Sequence, residues 1–281
     1  MAPADIKKEG SAFDLPLAIG MLAGGEKLKS KLLAHYMIMG ELSLDGSLQP
    51  IRGALPIALC AKREGFKGLI LPAVNAEEAA VVDGLDVYGM DSLMDVVHFL
   101  NGEPKDELTG EAFEPTHVNT QALFDELAFP SDLDFSDVRG QYKVRRAVEI
   151  AAAGGHNMLM IGPPGAGKSM IAKRIPSILP PLTLEEALET TKIHSIAGLT
   201  NKRKGVSSAL IVERPFRSPH HTITDTALVG GGTNPHPGEI SLAHNGVLFL
   251  DELPEYKRSA LEVMRQPLED RHITVARTKE T

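Results

Sequence analysis

The sequence predicts an α/β fold in which helices cover both faces of a mainly parallel sheet, with a smaller α+β region before it. In the second half, a glycine-rich loop lies between an apolar segment at residues 157–161 and a helical pattern at residues 170–175. Another apolar segment, residues 247–250, ends in the acidic pair Asp251 and Glu252. Polar residues at the carboxyl ends of buried parallel strands are typical of sheets that bind ligands. In the first half, helical and strand patterns alternate around short apolar segments, which favours an α+β arrangement.

The glycine loop fits the phosphate-binding pattern G-x-x-x-x-G-K-[ST] at every fixed position. Such a loop turns backbone N–H groups toward phosphate oxygens, and the helix that follows adds partial positive charge. Lys168 is the candidate to neutralise the β- and γ-phosphates of ATP, and Ser169 is the candidate ligand of Mg²⁺. The predicted nucleotide-contacting residues are those of the loop and the residue after it: Gly162, Pro163, Pro164, Gly165, Ala166, Gly167, Lys168, Ser169 and Met170.

The acidic pair at the end of the second apolar segment supplies the other half of the predicted site. Asp251 would complete the Mg²⁺ shell with Ser169, and Glu252 would orient and polarise the attacking water. Lys168 and Glu252 are therefore the catalytic candidates. The alternatives are a chance glycine turn and an ordinary strand followed by an acidic turn, and the presence of both motifs together disfavours them.

Composition divides the 281 residues into three zones, predicted as a domain at 1–102, a linker at 103–130 and a domain at 131–281. Residues 103–137 hold 1 basic residue against 10 acidic ones, and like charges favour an extended connector. We expect a short helix in it at residues 119–127. The apolar runs are too short to span a bilayer, and Cys60 is the only cysteine. We therefore expect a cytoplasmic protein without membrane contact, disulfides or a cysteine-based zinc site.

Apolar spacing in the first zone predicts five helices and two strands. The helices are expected at residues 15–22, 27–39, 54–63, 74–80 and 92–100, and the strands at residues 68–71 and 87–88. Residues 40–51 have the pattern of a β-hairpin that turns at Asp45 and Gly46.

Residues 131–281 resemble the AAA+ module of the magnesium-chelatase-like ATPases of the YifB/ComM family. Besides the two motifs above, the resemblance rests on residues 135–141, 214–221, 227–232, 237–244 and 265–269. It implies a three-layer AAA+ sandwich that assembles into a ring, usually a hexamer, with ATP at the subunit interfaces. It also implies that Val138 and Gln141 line the adenine pocket.

The family carries an insert between the two ATPase motifs, which here lie 82 residues apart from Ser169 to Asp251. Residues 192–217 are basic, with one acidic residue, Glu213, against Lys192, Lys202, Arg203, Lys204, Arg214 and Arg217. This insert predicts contact with DNA phosphates, and a solvated basic loop is the alternative. The nearby histidines lack the spacing of a zinc site, and we expect His220 and His221 to order the insert; the four are His194, His220, His221 and His236.

Residues 1–102 resemble the Lon-protease-like domain, of the ribosomal S5-like fold, that precedes the ATPase in the family. The similarity rests on residues 8–16 and 40–46. Lon proteases use a serine–lysine dyad, and their lysine follows a P-I-G-G stretch. Residues 50–56 occupy that stretch here, and the next lysine is Lys62. Because Ser11 then lacks a base, we predict that this domain is not proteolytic.

The resemblance implies an ATP hydrolase coupled to DNA binding and branch migration, in recombination or natural transformation. The alternatives are a magnesium-chelatase-type motor subunit that drives metal insertion into a porphyrin, an ATP-dependent protease or chaperone, and an inactive gene fragment. Relative to the family we expect the chain to be cut at both ends, since Arg271 and Arg277 do not match the arginine-finger or sensor motifs. Alone it should then bind nucleotide weakly, hydrolyse it poorly and expose sheet edges.

Overall fold

The computed structural model describes residues 11–105, 111–127, 133–200, 209–232, 235–270 and 272–273. The chain divides into two compact units, Met1–Leu123 with Gly198–Leu210 and Phe124–Ala197 with Ile211–Thr281. Part of the sequence expected in the second domain therefore belongs to the first unit. The domain boundaries at residues 102 and 131 stay predictions.

The first unit is built on a small parallel sheet. Its elements are α1 (Asp14–Gly24), β1 (Tyr36–Ile38), β2 (Glu41–Leu42), β3 (Leu48–Gln49), α2 (Ala54–Arg63), β4 (Gly68–Pro72), α3 (Ala76–Ala80), β5 (Asp86–Met90) and α4 (Leu93–Asn101). The sheet order is β1-β4-β5, and both pairings are parallel, while β2 and β3 form an antiparallel hairpin. All five residues of the central strand β4 are buried, as expected for a parallel strand covered on both faces.

Local chemistry explains where several of these elements begin and approach each other. Ser92 and Asp95 form a reciprocal capping box at the start of α4, which satisfies backbone N–H groups that the helix leaves without partners. At Gly68, a side chain would place its Cβ 2.4 Å from the carbonyl oxygen of Asp86. A glycine is therefore required for β4 and β5 to pair at this point.

The prediction of a helix over residues 27–39 is wrong. The chain makes a short 3₁₀ turn at Leu32–Ala34 and then enters β1. Tyr36 of β1 is buried and packs edge-on against the rings of Tyr88 at 5.7 Å and Phe99 at 5.2 Å. These aromatic contacts and the pairing with β4 override the helical spacing of the segment. The other helices and strands predicted in this zone, and the hairpin, are confirmed.

The second unit consists mainly of helices joined by short strands. Helix α5 (Thr120–Leu127) crosses the boundary between the units along the chain and confirms the predicted linker helix. The remaining elements are α6 (Tyr142–Gly154), α7 (Lys168–Ala172), α8 (Leu184–Ile196), β6 (Phe216–Arg217), α9 (Asp225–Val229), β7 (Gly230–Gly231), β8 (His236–Pro237), α10 (Glu239–Leu242), β9 (Val247–Leu248), α11 (Arg258–Val263) and α12 (Arg265–Asp270). Strands β6 and β9 pair in parallel, and β7 and β8 pair antiparallel.

Two strand predictions in this unit need correction. Residues 157–161 form no strand, and Leu159 and Ile161 are 68% and 90% exposed. The fully buried strand expected at residues 247–250 is reduced to the half-buried pair Val247–Leu248. Among the described residues β9 pairs with β6 alone, and its other side borders a cavity of about 260 Å³ that residues 156–158 and Met160 also line. Without a second neighbouring strand, neither segment reaches the expected burial.

Candidate nucleotide-binding site

The glycine loop at residues 162–169 leads directly into helix α7. Gly165 and Gly167 have φ angles of 76° and 84°, a left-handed conformation that side chains other than glycine adopt only with strain. The loop is tightened by a hydrogen bond from the N–H of Ala166 to the carbonyl of Pro163, at 3.3 Å. Gly165 and Gly167 therefore stand where the backbone conformation favours glycine.

Lys168, the first residue of α7, folds back onto the loop. Its Nζ donates hydrogen bonds to the carbonyl oxygens of Gly162 at 2.8 Å and Pro163 at 3.1 Å. The ammonium group is thus held at the loop by neutral acceptors rather than by a carboxylate. Neutral acceptors compete weakly with an anion, so the lysine can exchange these bonds for contacts with a phosphate.

Ser169 and Asp251 meet across the second unit. The hydroxyl of Ser169 donates a hydrogen bond to Asp251 Oδ2 at 2.8 Å, and the two residues are 82 positions apart in sequence. Asp251 follows the apolar segment that contains β9. A hydroxyl and a carboxylate are oxygen donors of the kind that Mg²⁺ prefers, so this donor set fits the ion that accompanies ATP.

Gln141 and Met170 lie close to the loop. Gln141 stands before α6 with a φ of 46°, and its Nε2 donates to the carbonyl of Ala166 at 2.9 Å. The side chain of Met170 is 41% exposed, and its methyl group would lie 3.6 Å from a Cβ on Gly167. Val138 is buried in the core of the unit with Phe135, Val148 and Ile171. The structure therefore brings Gln141 and Met170 to the loop, while Val138 packs in the core that supports it.

Glu252 has a partner that the sequence analysis did not find. The Nδ1 atom of His221 lies 3.1 Å from Glu252 Oε2. The ring of His221 packs against that of His220, with centroids 4.1 Å apart. Glu252 itself has a φ of 54°, a conformation uncommon for a residue other than glycine. The expectation that His220 and His221 order the insert stays a prediction, and the contact of His221 with Glu252 is additional to it.

Tyr256 closes this side of the site. Its hydroxyl donates to the carbonyl of Pro219 at 2.6 Å, and its ring meets that of His221 edge-on with centroids 6.5 Å apart. Burial, together with the negative charge of Asp251, raises the pKa of Tyr256. The phenol donates the hydrogen bond that ties Tyr256 to Pro219, in the segment before His221.

Two arginines of the basic insert are engaged inside the second unit. Arg217 donates two hydrogen bonds to the carboxylate of Glu239, both at 2.6 Å, which raise the pKa of the guanidinium against the opposing effect of burial. Arg214 donates to the carbonyl of Asn245 at 2.7 Å and reaches Glu186 at 3.3 Å. Both arginines are partly buried and bound to acceptors of the same unit, so they are not the free basic groups that the sequence analysis expected. Lys192 remains for the proposed DNA contact, and residues 202–204 lie outside the described residues.

The segment Gly198–Leu210 lies within the insert and belongs to the first unit. The structure describes its two ends, residues 198–200 and 209–210. Thr200 is buried and its hydroxyl donates to Glu78 Oε2 at 2.9 Å. Glu78 is also buried, and its Oε1 accepts the N–H of Leu55 at 3.0 Å. Ala209 and Leu210 are buried as well. The insert is therefore anchored at both described ends.

Two of the four histidines considered as metal ligands, His194 and His220, make hydrogen bonds to different groups. His194 is buried with its Nε2 3.0 Å from the carbonyl oxygen of Leu242, and His220 contacts the hydroxyl of Thr222 at 3.0 Å. Within the part of the chain that the structure describes, no group of three or more histidine, cysteine, aspartate or glutamate side chains is placed to hold a metal ion. No helix in that part is long and apolar enough to cross a membrane.

The serine and lysine discussed for proteolysis are engaged with other groups in the first unit. The hydroxyl of Ser11 donates to the carboxylate of Glu41, and Lys62 Nζ donates to the carbonyl of Asp83 at 2.6 Å. A carboxylate and a lysine bound elsewhere do not form the dyad of a Lon protease. The absence of proteolytic activity stays a prediction.

A glycine loop joined through its serine to a distant aspartate is typical of P-loop nucleotide-binding proteins. The sequence matches the family described as magnesium chelatase, subunit ChlI, over residues 134–281. A second family description, subunit ChlI of Mg-chelatase, matches residues 1–75. The chain belongs to the magnesium chelatase subunit ChlI family, and within it to the YifB/ComM-like, magnesium-chelatase-like proteins.

Several relatives match nearly the whole chain, and two of them are described here. The competence protein ComM of Haemophilus influenzae is 44% identical over 277 residues, which cover 99% of this chain and 52% of that protein. The YifB protein of Escherichia coli is 45% identical over 279 residues, with the same coverage. The chain thus spans about half the length of these relatives. Among solved structures, NtrX from Brucella abortus in complex with ADP overlaps weakly, with 19% identity, a TM-score of 0.33, and 86% of this chain and 49% of that one covered.

Proposed function

We propose that this chain forms the nucleotide site of an ATP-hydrolysing motor that acts on DNA. The observation that carries the proposal is the contact between Ser169 and Asp251, whose side-chain oxygens are 2.8 Å apart. It joins the glycine loop to the carboxylate that follows β9, and these are the two parts that a Mg²⁺–ATP site requires. A glycine turn without a ligand has no reason to place a hydroxyl against a carboxylate from a remote segment.

Each residue of the site has a distinct role in this proposal. Lys168 would leave the carbonyls of Gly162 and Pro163 and neutralise the β- and γ-phosphates. Ser169 and Asp251 would hold Mg²⁺, which when bound would neutralise charge on the phosphate oxygens. Glu252, whose side chain is 65% exposed, would orient the attacking water and polarise its O–H bond. Gln141 would hold the loop through its hydrogen bond to Ala166, on the side proposed for the adenine. Val138 packs in the core that supports this side.

Glu252→Gln tests hydrolysis separately from binding. The amide keeps the size of the side chain but cannot polarise water, so the ATPase rate should fall by about 10²-fold or more while MgATP affinity is retained. Glu255→Gln is the matched control, because Glu255 is an exposed carboxylate three residues further along the chain. A rate that falls equally in both variants, or in neither, would contradict the role given to Glu252.

The proposed DNA partner rests on the basic insert and on the similarity to a relative whose name is competence protein ComM. Because the structure engages Arg214 and Arg217 internally, the contact is proposed for Lys192 and residues 202–204. The logarithm of the affinity falls as the logarithm of the salt concentration rises. Removal of one phosphate contact should make the magnitude of this slope smaller by about 0.9. Alanine at all three positions 202–204 should therefore reduce the slope by up to about 2.7.

The matched control replaces the exposed lysines of the first unit, Lys27, Lys29 and Lys31, with the same change in net charge. We expect a four-way DNA junction to stimulate the ATPase of the unaltered protein and of this control, but not of the 202–204 variant. Equal salt slopes in the two variants would remove the insert from the DNA contact. An ATPase that ignores DNA would favour the alternative, a chelatase-type motor that drives metal insertion, which the family description supports.

The proposal also includes assembly into a ring, with hexamers as the expected form. Nucleotide binding at a subunit interface would make this assembly depend on MgATP. Sedimentation velocity with and without MgATP measures the mass of the assembly. The same mass under both conditions would count against a ring that depends on nucleotide.

A further inference from the structure

Part of the basic insert is built into the first unit. That unit includes Gly198–Leu210, whereas helix α8, which precedes this segment in the sequence, belongs to the second unit. At the described ends of the segment, Thr200, Ala209 and Leu210 are all buried. Connecting segments normally run over the surface of a protein. Burial of both described ends therefore indicates that the first unit provides a specific place for the insert.

This place is a seat at the start of helix α2, formed by Arg52, Leu55, Asn75 and Glu78. Asn75 is buried and makes two hydrogen bonds to the backbone of Ile51, just before the helix: its Oδ1 accepts from the N–H at 2.9 Å and its Nδ2 donates to the carbonyl at 3.0 Å. Oε1 of Glu78 accepts the N–H of Leu55 at 3.0 Å, one of the first N–H groups of α2, which have no partner within the helix. Contacts inside the first unit thus fix the backbone of the seat.

Two contacts connect the insert to the seat. The hydroxyl of Thr200 donates to Oε2 of Glu78 at 2.9 Å, and this hydrogen bond is the anchor of the insert. Gly198 has a φ of 70°, and a Cβ at this position would lie 3.1 Å from Nε of Arg52, so the arginine side chain packs closely on the glycine. One oxygen of Glu78 therefore holds the helix and the other holds the insert.

We propose that the first unit positions the insert for its contact with DNA, and that Glu78 and Thr200 are the positioning residues. This inference rests on the proposed function, which assigns the DNA contact to Lys192 and residues 202–204. Thr200 is two positions before Lys202 in the sequence, so fixing Thr200 limits the space that the neighbouring basic side chains can reach. DNA then has less conformational freedom to remove from the insert when it binds. Residues 50–56, which lack the lysine of a protease dyad, carry part of the seat instead.

Binding of a four-way DNA junction to Thr200→Val, measured by fluorescence anisotropy at several salt concentrations, tests the proposal. Valine keeps nearly the same shape but lacks the hydroxyl. We expect the dissociation constant to rise by about threefold to tenfold, because DNA must then order a released insert. The slope of log affinity against log salt concentration should stay within about 0.3 of that of the unaltered protein, since no basic side chain is removed. The ATPase rate without DNA should change by less than about twofold, because Thr200 lies outside the proposed nucleotide site.

Thr200→Ser and Thr120→Val are the matched variants. Serine keeps the hydroxyl, so Thr200→Ser should bind the junction within about twofold of the unaltered protein. Thr120 is buried in the same unit, and its hydroxyl donates to the carbonyl of Val81 at 3.0 Å. Thr120→Val therefore removes a buried threonine hydroxyl without touching the anchor. Equal junction affinities in Thr200→Val and Thr120→Val would overturn the positioning role, and so would a Thr200→Ser variant that binds as weakly as Thr200→Val.

Amide hydrogen exchange of the protein alone gives a readout that needs neither DNA nor ATP. The amides of residues 198–200 and 209–210 should exchange faster in Thr200→Val than in Thr120→Val, and equal exchange would refute the anchor. If the unaltered protein binds no DNA, the proposed DNA function fails, and the exchange measurement still decides whether the seat holds the insert. If the junction is bound and Thr200→Val behaves as the control does, the proposed function stands and the positioning role fails.

Discussion

Thr200→Val tests the anchor of the basic insert in the first unit. Thr200 is 4% exposed and Glu78 is 3% exposed, and the threonine hydroxyl donates to Glu78 Oε2 at 2.9 Å. Valine has nearly the same shape as threonine but no hydroxyl. The substitution therefore removes one donor from a buried carboxylate without opening a cavity.

The cost follows from the burial of the acceptor. Glu78 holds the start of α2 through the N–H of Leu55, at 3.0 Å, so the carboxylate cannot turn to solvent without releasing that helix end. A hydrogen bond to a charged group contributes about 1.5–3 kcal/mol, and loss of a donor to a buried oxygen falls in the same range. We expect Thr200→Val to lower the free energy of unfolding by about 1–3 kcal/mol.

Urea unfolding followed by circular dichroism measures this change, and hydrogen exchange at the Leu55 amide locates it. The matched control is Thr222→Val, which removes an exposed threonine hydroxyl that contacts His220 at 3.0 Å. The control should change stability by less than about 0.5 kcal/mol. If Thr200→Val costs no more than the control, or leaves the exchange of Leu55 unaltered, the anchor does not stabilise the first unit.

Further predictions concern an ion pair and a tyrosine. Arg217→Met should lower the free energy of unfolding by about 1–2 kcal/mol, because it leaves the half-buried carboxylate of Glu239 without its two donors. Arg258→Ala, in an exposed pair, should cost about 0.5 kcal/mol or less in the same urea unfolding assay. Burial raises the pKa of Tyr88 from 10.0 to about 12. The folded state then holds this proton more tightly, so the stabilisation is complete below pH 10 and is lost as the pH rises toward about 12. Tyr88→Phe should flatten that alkaline loss in unfolding curves, and an unchanged curve would contradict the shift.

The nucleotide loop could be predicted because its chemistry is local. Every fixed residue of the motif lies within residues 162–169, and left-handed backbone at Gly165 and Gly167 is what such a loop requires. The contact of Ser169 with Asp251 was also expected, since the apolar segment before Asp251 indicated a strand that ends beside the loop. Local sequence therefore predicted the conformation of the loop, and its contact with the distant carboxylate followed from the fold class. That these residues bind nucleotide stays a prediction.

Other features depend on contacts that spacing does not encode. Residues 27–39 have helical spacing, but burial of Tyr36 among aromatic rings makes part of them a strand. The bond between Thr200 and Glu78 spans 122 positions, and no motif marks either residue. Side-chain burial and long-range pairing decide both cases, and the sequence pattern carries neither.

His221 is intermediate between these cases. Its partner could have been found by aligning residues 216–217 and 247–248 as neighbouring parallel strands and counting four residues onward in each. The sequence analysis identified the second segment as a strand but made no prediction for the first. Without the pairing of β6 with β9, the histidine had no assigned neighbour.

Binding of MgATP to the unaltered chain and to Lys168→Ala tests the central claim most directly, with Lys173→Ala as the matched control. Lys173 is an exposed lysine just beyond α7, so its loss changes the net charge equally without touching the loop. By titration calorimetry we expect saturable, Mg²⁺-dependent binding to the unaltered chain and the control, and at least about tenfold weaker binding to Lys168→Ala, since one charge-assisted contact contributes about 1.5–3 kcal/mol. Equal affinities in Lys168→Ala and Lys173→Ala, or binding that ignores Mg²⁺, would contradict a nucleotide site built on Lys168, Ser169 and Asp251.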